Sequence, residues 1–76
     1  MFYVYEWYNT NTDEIFYVGK GCGNRYKNHS KRNKLFIEYY NNNSCASRII
    51  AYYENEQDAF NAEKERITEL KSKGMC

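Results

Sequence analysis

A chain of 76 residues is one domain, and a domain this small buries only about 60% of the surface its unfolded chain exposes, so its stability margin is narrow. Hydrophobic residues are 42% and aromatics 18% of the sequence, with nine Tyr, so the core is expected to be built from large rings with polar edges rather than from Leu and Val. A formal charge of +1 excludes a uniformly basic nucleic-acid coat, and the lack of a long apolar run excludes a membrane span. Cys22, Cys45 and Cys76 form no CxxC pair and lack the spacing of zinc ligands, which points to free thiols in a soluble, intracellular (cytoplasmic) protein with no membrane partner.

Residues 2 to 8 are rich in β-formers and run into the polar turn cluster Asn9 to Asp13; Ile15 to Gly19 is β-prone again, so a hairpin is predicted. With Tyr5 facing Tyr17, alternation puts Tyr3, Tyr5, Trp7, Ile15, Tyr17 and Gly19 on one face and sets Gly19 opposite Tyr3. After Gly21 and Gly23, residues 24 to 32 read as a short polar helix and residues 33 to 40 as a more apolar one, stopped by Asn41, Asn42 and Asn43. Residues 47 to 53 read as a third strand, and Asn55 with Asp58 caps a long helix reaching Lys73, with Gly74 as its stop. The order ββααβα gives an α+β fold: a small three-stranded antiparallel sheet flanked by helices, in a single domain spanning 1–76.

Charge is unevenly placed. Lys20, Arg25, Lys27, Lys31, Arg32 and Lys34 occur without an intervening acid, whereas Glu54 to Glu69 holds six acids against Lys64 and Arg66. Such neighbours suit a site that holds a polyanion and a divalent cation together; they also suit two solvated helix faces. Helical spacing puts Glu63 in one stripe with Ala59, Phe60, Ile67 and Leu70, and a carboxylate on a core stripe needs a cation, either a metal or a side chain such as Arg25 or Arg48, or else a place at the rim that reaches water. Arg25 and His29, four apart, are neighbours on a helical face that is either a solvated surface or a phosphate grip with a proton carrier beside it. Tyr5 and Tyr17 are packing aromatics, or phenols whose acidity is raised by nearby cations such as Lys20 and Arg25. Lys20 sits between Gly19 and Gly21 but in no P-loop, since the spaced Gly-Lys-Ser/Thr pattern is missing.

Tyr3-Val4-Tyr5 and Tyr17-Val18-Gly19, followed by Lys20, Arg25-x-x-x-His29 and Ala59-x-x-x-Glu63-x-x-x-Ile67, resemble the ordered motifs of the GIY-YIG nuclease family across nearly the whole chain. The resemblance implies a metal-dependent endonuclease acting on DNA. In it Tyr5 and Tyr17 line the active site, with Tyr17 the better candidate to activate the attacking water. Lys20 and Arg25 meet the phosphate, His29 assists, and Glu63 holds one Mg²⁺ or Mn²⁺. The cations Lys20, Lys27, Lys31, Arg32 and Lys34 form the expected nucleic-acid footprint. Tyr3 stands where the family name has its first glycine. The family's asparagine after the glutamate helix has no counterpart in Lys73-Gly74-Met75-Cys76, so the C-terminus is truncated, or Asn33 serves instead, or activity is reduced. Sequence preference would come from this domain, from an additional DNA-reading domain or from a partner. The competing expectation is a non-catalytic nucleic-acid-binding module whose exposed Tyr rings stack on unpaired bases above the basic segment.

Overall fold

The computed structural model describes residues 1–28 and 32–72. Strands β1 (Phe2–Asn9), β2 (Ile15–Gly21) and β3 (Cys45–Tyr53) form an antiparallel sheet of order β2-β1-β3, with helices α1 (Lys34–Asn42) and α2 (Glu56–Ser72) against it. The fold is therefore the expected small α+β sheet. β1 is the central strand and is covered on both faces, so Tyr3, Val4, Tyr5, Glu6 and Trp7 are all buried.

Local chemistry explains the elements. In the hairpin loop the Asn9 side chain accepts from Asn11 N at 2.9 Å, and Asp13 adopts φ 61°, a left-handed conformation that Asp tolerates better than most residues. Asn33 Oδ1 accepts from Phe36 N at 2.9 Å to start α1. Asn55 and Asp58 bond reciprocally at 2.9 Å to start α2, as expected from their spacing. The predicted helix end at Lys73 and Gly74 lies outside the described residues, as does Cys76; Cys22 and Cys45 are free thiols. No helix among the described residues is long and apolar enough to cross a membrane.

Two expectations are corrected. The hairpin register is displaced by two residues: Tyr5 faces Gly19, Tyr3 faces Gly21 and Trp7 faces Tyr17. A shift of two keeps every side chain on its face, so Tyr5 and Tyr17 remain diagonal neighbours on one side of the sheet. The register is set by Gly19, over which the Tyr5 ring lies: a Cβ there would stand 2.8 Å from the Tyr5 hydroxyl. An irregularity between Trp7 and Tyr8 then pairs Tyr8 with Ile15, and Ile15 leaves the expected aromatic face to pack beside Val18, Ile67 and Leu70.

The second correction concerns residues 24 to 32. Among the described residues of this stretch only Arg25–Lys27 form a helical turn, of 3₁₀ type, and Asn28 leaves it in an extended conformation (φ −76°, ψ 112°), so the order over the described residues has one α-helix fewer than ββααβα. Two carbonyls of this turn carry side-chain bonds: Arg32 Nε donates to Asn28 O at 2.8 Å and Nη2 to Arg25 O at 3.1 Å, the latter also accepting from Asn28 N. Tyr3 pins the same loop from the sheet, its hydroxyl donating to Gly23 O at 2.9 Å and accepting from Tyr26 N at 3.0 Å.

The two faces are packed differently. Under α1, the rings of Trp7 and Tyr17 meet Phe36 edge to face at 5.4 and 5.3 Å. Under α2, Val4, Glu6, Ile15 and Val18 meet a helix that approaches closely through Ala59, which is fully buried, and Leu70.

Candidate active site

Tyr5 and Tyr17 project from adjacent strands with ring centroids 6.2 Å apart, and one guanidinium joins their hydroxyls. Arg32 Nη1 donates to Tyr5 Oη at 2.8 Å and to Tyr17 Oη at 3.3 Å. Its Cζ lies 5.4, 5.1 and 5.5 Å from the ring centroids of Tyr5, Tyr17 and Phe36, within cation–π range. With Nε and Nη2 on the two loop carbonyls, Arg32 is held on every side. The sequence pattern assigned the cation at the phenols to Arg25 and gave Arg32 only a place in the footprint; the geometry puts Arg32 at the phenols.

Arg25 stands next to this cluster rather than in it. Its aliphatic stem lies over Gly21, where a Cβ would come within 2.9 Å of Arg25 Cδ, so the residue opposite Tyr3 must be small to let the stem down. The exposed Arg25 head and Arg32 then line a groove of about 430 Å³ with the amide side chains of Asn24 and Asn28. Two guanidinium groups with amide donors between them make a receptor for a phosphate oxyanion.

The two phenols differ in environment. Burial raises the pKa of Tyr5 above its ordinary value; the Arg32 bond opposes the shift and the neighbouring Tyr17 hydroxyl adds to it. Tyr5 therefore stays protonated near neutral pH, as a fixed hydrogen-bonding group and not a base. Tyr17 is only half-buried and is the phenol open to a ligand.

Lys20 and Glu63 belong to the other side of the sheet. Lys20 Nζ pairs with Glu56 at 3.1 Å, near the start of α2. Further along the helix Ile67 packs near Val18 and Tyr17, so position 63, in the same stripe, lies along the β2 edge between these two contacts. Glu63 is half-buried and makes no ion pair or hydrogen bond among the described residues. Of the expected alternatives neither ion pair forms, since Arg25 points into the groove and Arg48 binds Glu6, and the partial exposure of Glu63 also fits a rim carboxylate that reaches water. Among the described residues no three His, Cys, Asp or Glu side chains gather around a common point, so a metal at Glu63 would have at most two such ligands from them.

Of the remaining footprint, Lys27 and Lys34 are exposed, with the Lys27 ammonium 5.5 Å from the Tyr26 ring; His29 and Lys31 lie outside the described residues. One charged residue escaped the sequence reading. Glu6 is 1% exposed, its two oxygens bonded to Arg48 at 2.9 Å and Arg66 at 3.1 Å, and Arg66 also pairs with Glu69. Its signal was present: in Tyr-Val-Tyr-Glu-Trp-Tyr a lone acid interrupts a run that is apolar on both faces, as only a central strand is. No protein-family model, curated protein or solved structure matches this chain.

Proposed function

We propose that the chain is a metal-dependent endonuclease of GIY-YIG type that hydrolyses DNA phosphodiester bonds. The observation that carries this reading is the pair of phenols on adjacent strands, tied by one guanidinium and opening beside a groove with a second. Arg25 grips the phosphate through its exposed head and stabilises the negative charge that grows on it during attack. Arg32 and Tyr5 hold the Tyr17 hydroxyl in place, and Tyr17, the accessible phenol, orients the attacking water and takes its proton while releasing its own hydroxyl proton to solvent. Lys20 and His29 add positive charge and proton transfer at the margin. Glu63 suits a hard divalent cation, since a half-buried carboxylate lacking a side-chain cation leaves its oxygens available, and Mg²⁺ tolerates one carboxylate with water completing its shell. When bound there, at the β2 edge, Mg²⁺ or Mn²⁺ would supply Lewis-acid polarisation to a phosphate that extends from the groove round that edge.

The test is nicking of supercoiled plasmid with Mg²⁺ or Mn²⁺, and with EDTA. Wild type should nick only with metal. Arg25→Ala should lose at least ~100-fold in turnover with a smaller loss of DNA affinity, and Glu63→Gln should be inactive while still folded. DNA binding without nicking under any metal would overturn the enzyme reading in favour of a non-catalytic binding module. A Glu63→Gln protein that still nicks in a metal-dependent way would remove Glu63 from the mechanism.

A further inference from the structure

Beside the phenols, β2 and the first turns of α1 enclose a hollow of about 360 Å³ walled by Phe16, Tyr17, Leu35, Phe36 and Tyr39. Leu35 is 80% exposed, an apolar side chain kept in water at the rim, and the Phe16 and Tyr39 rings lie 4.3 Å apart at 30°. The hollow and the basic groove share a wall. Arg32 lines the groove, and its guanidinium lies against the rings of Tyr17 and Phe36, which line the hollow.

A ligand reaching across that wall carries an anion at one end and a flat, mostly apolar body at the other. The polar groups at the hollow complete the description. Glu14 repels a phosphate from this end and can accept from an exocyclic amino group, while Asn33, whose Oδ1 caps α1, keeps its amide hydrogens for an acceptor. A volume near the lower limit of ligand pockets suits one ring system and not a stacked pair. We propose that this hollow is a nucleobase subsite, which takes an unpaired base attached to the phosphate held by Arg25; the assignment rests on the nuclease reading. A base within an intact duplex is stacked on both faces and hydrogen-bonded at its edge, so the preferred substrate is a single-stranded or extrahelical nucleotide.

The experiment measures binding in EDTA, by fluorescence anisotropy, of an eight-nucleotide single strand and of a strand of equal length whose sugars carry no bases. Wild type should bind the ordinary strand more tightly. Leu35→Ser, at an exposed position, should weaken that binding about fivefold or more while leaving the baseless strand unchanged. Equal binding of the two strands by wild type, or an equal loss on both in Leu35→Ser, would overturn the subsite. Plasmid nicking by the same proteins separates the two proposals: base-dependent binding without metal-dependent nicking leaves the subsite standing and removes the nuclease, whereas nicking with base-blind binding does the reverse.

Discussion

Under α2 the sheet buries a charge, with Glu6 held between Arg48 and Arg66; under α1 it buries a phenol, Tyr5, which shares Arg32 with the half-buried Tyr17. Each device puts a polar group on a strand that is covered on both faces, but their consequences differ. The carboxylate has a partner at each oxygen, and Arg66 has a second acid in Glu69, so that cluster is internally neutralised. On the other side a single cation serves two hydroxyls, no carboxylate among the described residues pairs with it, and the groove beside it is lined by Arg25 as well. One face therefore stabilises the sheet, and the other keeps uncompensated charge where a phosphate can reach it.

The comparison can be broken from either side. Phe36 is the ring on which Trp7, Phe16, Tyr17 and Tyr40 converge, so Phe36→Ala should cost ~3–5 kcal/mol, enough to leave a domain of this size largely unfolded in urea titrations. Glu6→Gln keeps the shape and leaves Arg48 and Arg66 facing an uncharged amide. Because both arginines are partly exposed, the loss should be about 2 kcal/mol, below the range for fully buried pairs, and a thermal melt should fall by roughly 8–16 °C. Nicking per folded molecule should be unaffected, and a loss of turnover in folded Glu6→Gln would contradict the division of roles between the faces.

Tyr5 sharpens the contrast through pH. Its folded pKa is raised, so the folded state holds the phenolic proton more tightly than the unfolded chain. The contribution is fully present below the unfolded value, ~10, and is lost as pH rises through the higher folded value. Wild type should thus lose stability above about pH 10 more steeply than Tyr5→Phe does, in melts compared pH by pH. Equal slopes would mean that burial does not govern this phenol. The smallest expected effect is on DNA affinity: replacing exposed Lys27 or Lys34 by Ala should lower the slope of log affinity against log salt by about 1 for each phosphate that the lysine had neutralised. Slopes unchanged in both variants would move the footprint off this face.

Much of the fold was legible because its determinants are local. The alternating strands, the Asn9–Asp13 turn and the cap at Asn55 depend on residues within a few positions of one another. What was not legible depends on one side chain acting at a distance. The hairpin register follows from the Tyr5 ring crossing Gly19, and alternation alone cannot distinguish it from a neighbour two residues away. Within the helix expected over 24–32, the described residues make one turn that Asn28 leaves extended, and the Arg32 side chain bonds carbonyls of that turn, a contact that periodicity does not reveal. The same path decides which arginine meets the phenols: both Arg25 and Arg32 belong to the basic block, and only the route of the loop brings Arg32 to Tyr5 and Tyr17.

The Tyr3 hydroxyl makes the position of Arg25 a matter of entropy as well as charge. By bonding Gly23 O and Tyr26 N it moors both ends of the segment that carries Arg25 to the central strand of the sheet. A guanidinium on a moored loop gives up little freedom when a phosphate arrives, whereas on a loose loop it must be ordered at the moment of binding. Removing one oxygen, in Tyr3→Phe, would leave the edge-to-face contacts with Tyr5, Tyr26 and Tyr52 in place and free the loop. The variant would keep every charge of the groove and bind phosphate with a less favourable entropy, a difference that calorimetry reads directly.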